Sequence, residues 1–180
     1  MKKRRGIVLA LLSLVTVLGA LSIGAAAVSA DDAGSLAEVD EAAAAPGASR
    51  LHAEGDGIAV LAGRGVVDVT GNGILWIRDL RGDARIDVSG YGQKEEFEDG
   101  WIQYSGFRGH ARVSGSRIVV CIAGVDVDLH AGGIGRVMLW GHGRVRIVSA
   151  AGDEVTNDWN GGFFRWHRFG DPSAAVAAAL

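Results

Sequence analysis

The chain has 180 residues, of which 28 are glycine, 2 proline and 1 cysteine; 48% are apolar, 22% are charged, and the net charge is −3. That length permits one domain of ordinary size, scarce proline without a G-X-Y triplet excludes collagen, and a lone cysteine excludes a disulfide scaffold or a multi-cysteine zinc site. The acidic balance argues against nucleic acid as a partner, because neutralising phosphates needs clustered basic charge.

Residues 1–30 read as an export signal. Lys2, Lys3, Arg4 and Arg5 form a positive start, an apolar run from Ile7 to Val28 follows, and Val28-Ser29-Ala30 offers small residues ahead of Asp31-Asp32. The alternative is an uncleaved anchor, since such a run is long enough to span a bilayer. It is the one route to membrane contact in the reading. Cleavage removes four positive charges and leaves 14 basic against 21 acidic residues, a net charge of −7. Export implies a periplasmic, extracellular or cell-surface location.

Segment 31–50 carries Asp31, Asp32, Glu38, Asp40 and Glu41 in a mostly Ala, Gly and Ser background with Pro46. It reads as a solvated linker. A short helix over Leu36–Ala45 would gain little by itself, and the folded part is expected from near Leu51.

A regular beat then begins. Gly55-Asp56-Gly57, Gly63-Arg64-Gly65 and Gly71-Asn72-Gly73 recur every eight residues, followed by Gly82 and Gly90-Tyr91-Gly92. Farther on, Gly106, Gly115, Gly124, Gly133 and Gly141 are spaced nine, nine, nine and eight. Runs such as Val66-Val67-Asp68-Val69-Thr70 and Arg144-Val145-Arg146-Ile147-Val148 between them have strand length and composition. The predicted class is all-β, a repeat of single strands over 51–155.

Parity suggests how the strands connect. Two-residue hairpins would switch the inward set between odd and even numbers at each turn. Here Ala59, Leu61, Val67, Val69, Leu75 and Ile77 are all odd, and Val125, Val127, Leu129, Val137, Leu139, Val145 and Ile147 repeat that phase. Glycine falls on the same inward track at each corner, where a bend leaves no space for a Cβ. This predicts a glycine-cornered β-solenoid or β-roll. Three faces would make coils of roughly 25 residues, and a two-faced roll with more coils fits equally. An antiparallel sandwich or barrel with three-residue bulged loops also keeps parity and is the competing reading.

The runs Gly63-Arg64-Gly65-Val66-Val67-Asp68-Val69 and Gly71-Asn72-Gly73 resemble glycine-rich bacterial cell-envelope β-solenoids, such as the GIN-like head domains of auto-transporter adhesins. The resemblance covers about half the chain. It implies an exported β-repeat with a structural or adhesive role, and it assigns no functional residue.

Two aromatic segments break the beat. Residues 93–108, read as an insertion, carry Phe97, Trp101, Tyr104 and Phe107, and residues 156–170 carry Trp159, Phe163, Phe164, Trp166 and Phe169. Both are expected to cap the open ends of the stack or to pack against it, with 156–180 forming a C-terminal cap and tail.

Catalytic signatures are missing. None of the Gly-x-Gly pairs continues to a third glycine or a helix, Gly132-Gly133-Ile134-Gly135-Arg136 leads to Val137 rather than aspartate, and neither Gly-x-Ser-x-Gly nor His-Glu-x-x-His occurs. Asp68, Asp87, Asp126 and Asp128 are candidate glycosidase carboxylates by residue type alone. The reading is therefore a non-catalytic protein with no cofactor.

Asp126, Asp128 and His130 alternate along one strand and form a candidate metal set. Positions i and i+4 on a strand lie about 13 Å apart, so ligands would have to come from neighbouring strands, with His110 and His142 as candidates. The plainer reading is a charge ladder with Arg112, Arg136, Arg144 and Arg146. Trp76 and Trp140 fall on the outward phase, and with Trp101 and Trp166 they are candidates for stacking on a sugar. The aromatic segments folding over Trp76 and Trp140 is the plainer reading here too. Candidate partners are cell-wall or extracellular polysaccharide, or further copies of the chain. Cys121, in the apolar run Ile118–Ala123, reads as an inert buried thiol.

Overall fold

A computed structural model describes residues 39, 42, 46–161 and 165–170, all within one compact unit, Asp31–Leu180. The expected signal, most of the linker and the tail after Gly170 lie outside the described residues. Among the described residues five strands form in chain order: β1 (Ser49–Asp79), β2 (Arg85–Glu96), β3 (Trp101–Ser149), β4 (Glu154–Asn160) and β5 (Arg165–Phe169). All pairings are antiparallel, with β1 and β2 on β3 and with β4 and β5 also on β3. The all-β class follows from short β-branched runs that leave helices no room. Within the expected linker, Val39 and Ala42 are helical, Val39, Ala48 and Ser49 are buried, and β1 already begins at Ser49. Among the described residues no helix is long and apolar enough to cross a membrane.

β1 and β3 meet twice. Leu51 pairs with Ala131 along one edge and with Ile147 along the other, so its two partners stand 16 residues apart. For Leu61 the partners are Val120 and Val137, 17 apart, and for Leu75 they are Tyr104 and Ile122, 18 apart. The chain therefore returns alongside itself after two eight-residue segments, plus any residues inserted on the way. Glycine faces glycine where segments meet: Gly57 stands opposite Gly141, and Gly65 opposite Gly133. At Gly65 φ is +130°, and a Cβ would press on the Gly132 carbonyl oxygen and stand 2.9 Å from the Gly133 Cα.

The inserted residues are bulges on β3. Gly106 is skipped between Phe107 and Ser105, Ser116 and Arg117 oppose Arg64, and Val125 and Asp126 oppose Asp56. A bulge adds one residue and exchanges the two sides of the strand. Nine-residue glycine spacings are thus eight-residue segments with a bulge. β1 has none and keeps Ala53, Ala59, Leu61, Val67, Val69, Leu75 and Ile77 inside. On β3 the inward set runs Ala111 and Val113, then Ile118, Val120 and Ile122, then Val127, Leu129 and Ala131. The single odd phase therefore fails on β3 over Ile118–Val125, and it holds again at Val127, Leu129, Val137, Leu139 and Val145. Val125, expected inside, is 41% exposed.

The aromatic segments also differ from irregular covers. Residues 93–108 close a hairpin: β2 and β3 pair from Gln93–Ser105 to Glu96–Ile102, and the Phe97 and Gly100 N–H groups donate to the Trp101 and Phe97 carbonyls. Phe107 is fully buried in the hydrophobic core cluster. Residues 154–160 and 165–169 are strands on the free edge of β3, where ladder hydrogen bonds satisfy their backbone. Trp159 is buried against Gly55 and Gly143, and its Nε1–H donates to the Glu54 carbonyl at 3.2 Å.

Candidate functional site

Side chains that do not enter the core leave the sheet on its outer side, and the register lines them into cross-strand rows. Where β1 contributes His52, Glu54, Asp68 and Thr70, the rows are polar. One runs Arg146, His52, His130, Asp68, Arg112, Asp87, and the next runs Arg144, Glu54, Asp128, Thr70, His110, Ser89. Where β1 contributes Ile58, Val60, Ile74 and Trp76, the rows are apolar: Trp140, Ile58, Ala123, Ile74 and Met138, Val60, Cys121, Trp76. The eight-residue beat alternates these two textures along each strand.

The polar rows hold two clusters. In the first, Asp68 is buried to 6% exposure, accepts from Arg112 Nη1 at 3.0 Å and bonds His110 Nε2. The arginine neutralises that carboxylate. In the second, Asp128 Oδ1 lies 2.9 Å from His52 Nε2 and 3.1 Å from His130 Nε2. The two imidazoles stack at 4.2 Å with an interplanar angle of 8°. His52 stands directly across from His130, and Asp128 lies two residues before His130 on the same side.

Each partner shifts the other's proton affinity. The hydrogen bond to Asp128 raises the pKa of His52 above 6.5, against the opposing effect of burial. Burial pushes Asp128 upward, but hydrogen bonds from His130 and His52 outweigh it and hold the carboxyl well below its usual range. The stabilisation from His52 is complete below its unfolded pKa and fades as pH rises through the raised value; that from Asp128 fades as pH falls through its lowered value. Both are present together from about pH 4 to 6.5. Both side chains are more than a third exposed, so solvent screening limits the coupling to under about 1 kcal/mol. Urea unfolding at low salt should show stability falling between pH 6 and 8, and Asp128→Asn should flatten that fall. An equal fall in the variant would place the linkage elsewhere.

Of the candidate metal set, which the sequence favoured less than a charge ladder, Asp128 and His130 come together and Asp126 does not. Asp126 sits on the bulge with φ +53°, its N–H donating to Asp56 Oδ1 at 2.8 Å and its Oδ2 accepting from Asn72 at 3.1 Å. The strand-borne partner is His52, not His110 or His142. His110 is committed to Asp68, and His142 pairs with Asp56 and Asn160 at another level of the sheet. Only the i to i+2 alternation was readable from sequence; the 78 positions between His52 and His130 close through register. Beside the cluster, Glu54, Asp56, Asp126, Asp128, Arg144 and Asp158 line an open hollow of about 540 Å³.

Among the tryptophans, Trp76 stacks on Phe97 at 5.4 Å and meets Trp101 edge-on at 6.0 Å, with Arg78 5.5 Å above the Trp101 ring. The hairpin therefore covers Trp76 and engages Trp101. Trp140 is 39% exposed. Trp166 lies in β5 opposite Met138. Cys121 is partly buried, and desolvation pushes its thiol up to about 11, which leaves little thiolate at neutral pH.

No family model, curated protein or solved structure matches the chain.

Proposed function

We propose that this is an exported, non-catalytic β-repeat protein of the cell envelope with a structural or adhesive role. In this reading an antiparallel ribbon is wound on itself as a two-faced roll, combining the coil repeat of a solenoid with the antiparallel pairing of a sandwich. The 16- to 18-residue offset between the two partners of each β1 residue supports that winding. The observation that carries the role is the apolar outer rows, in which Trp140, Met138, Ile58, Val60 and Ala123 stand side by side with Trp140 39% exposed. An apolar sheet surface that is partly exposed, with Trp140 its most exposed ring, costs solubility unless something docks there. The N-terminal basic and apolar run supports export, with the mature chain beginning at Asp31.

Trp140 favours a second reading, carbohydrate or polymer binding, because an exposed indole on a flat strand offers a stacking platform. Expression with the natural N-terminus followed by fractionation tests the first reading. The protein should appear in the envelope fraction, and Trp140→Glu with Met138→Glu should cut its retention about tenfold or more while circular dichroism stays unchanged. Cytoplasmic protein, or equal retention of the variant, overturns it. Binding to cell-wall glycans that Trp140→Ala abolishes would select the second reading.

A further inference from the structure

The structure assigns a second property to the polar face: we propose that His52, Asp128 and His130 bind one late first-row divalent cation such as Zn²⁺, with water completing its coordination. The three ligand atoms all lie within 4.8 Å of one another. A tetrahedral ion with bonds of ~2.0–2.1 Å spaces its ligands ~3.3 Å apart. The observed 2.9 and 3.1 Å separations from the carboxylate oxygen need to open by only a few tenths. The imidazole side chains are 36% and 28% exposed and the carboxylate 49%, so the rings can turn their nitrogens onto a common point and water can reach the fourth position.

Donor chemistry selects the ion. Two imidazoles and one carboxylate suit Zn²⁺, Ni²⁺ or Cu²⁺, whereas Ca²⁺ and Mg²⁺ require oxygen. The neighbouring charges leave the carboxylate available. Arg146, across from His52, is drawn to Glu154 at 2.7 Å, and Arg144 faces Asp158 at 3.7 Å. Glu54, across from Asp128, adds negative potential, and Asp68, across from His130, is neutralised by Arg112. The Asp68 cluster makes the contrast: its carboxylate already has an arginine, Arg112, in the cation's place. Both histidines and the aspartate stand on central strands, so the backbone holds the ligand set before the ion arrives.

Binding exchanges the ion for any proton on either imidazole, with no change in oxidation state. Titration of the untagged, EDTA-stripped full chain with ZnCl₂ at pH 7.5 should show one equivalent bound and a raised melting temperature, with CaCl₂ and MgCl₂ giving neither. Affinity should fall as pH is lowered from 7.5 to 5.5. His52→Gln and Asp128→Asn should each weaken binding about tenfold or more, and His110→Gln should leave it unchanged. No saturable uptake by the folded wild type, or undiminished uptake by His52→Gln, overturns the proposal. If those variants fail to fold, imidazole resonances of the wild type decide: Zn²⁺ must shift the His52 and His130 rings, and shifts confined to His110 or His142 reject the site.

Discussion

Replacing Gly65 with alanine will lower stability by about 3 kcal/mol or more, read as a drop in the urea midpoint. Two costs add at this position. The φ of +130° is one that a residue with a Cβ adopts only under strain, about 1–3 kcal/mol. The new methyl would also press on the Gly132 carbonyl oxygen and stand 2.9 Å from the Gly133 Cα, and both are backbone atoms of a paired strand that cannot rotate aside. Gly152→Ala isolates the first cost, because its φ is +90° yet no atom lies within 4 Å of its added Cβ. It should lose only about 1–2 kcal/mol. Equal losses at the two positions would mean that close packing at the corner does not demand glycine.

Val127→Asp will prevent folding, whereas Val125→Asp will shift stability by no more than about 0.5 kcal/mol. The two valines share a numbering parity and lie two residues apart, so a regular strand would treat them alike. The bulge at Val125–Asp126 separates them: Val127 is 2% exposed and Val125 is 41% exposed. A carboxylate at Val127 would enter the hydrophobic cluster that also holds Ala53, Leu129 and Val145, at a cost of several kcal/mol. Circular dichroism and thermal melts separate the outcomes. Equal tolerance at both positions would remove the bulge from the account.

Much of the fold was legible because β1 repeats without interruption. Its eight-residue beat preserves parity, so Ala59, Leu61, Val67, Val69, Leu75 and Ile77 could be placed inside from numbering alone, and all six are buried. β3 was misread at Val125 because a nine-residue spacing adds a bulge that reverses the sides, and glycine spacing does not say which residue bulges. The strand pairing of the aromatic segments was not legible for a related reason. Strand pairing at a free edge depends on which backbone is already there, and local sequence does not contain that information. Covering of Trp76 was one of two outcomes that parity allowed, and the hairpin bearing Phe97 and Trp101 decided it.

The amino-acid sequence by itself determined the strand class, the corner glycines and the alternation of wet and dry sides, because each depends on periodicities of a few residues. Which side chains meet was decided only in three dimensions. His52 reaches Asp128 and His130 because antiparallel register brings strand positions 76 and 78 residues apart into adjacent rows, and that register depends on bulges whose cost and benefit are set by the packed neighbours. The same register separates Asp126 from the cluster by a single left-handed backbone turn.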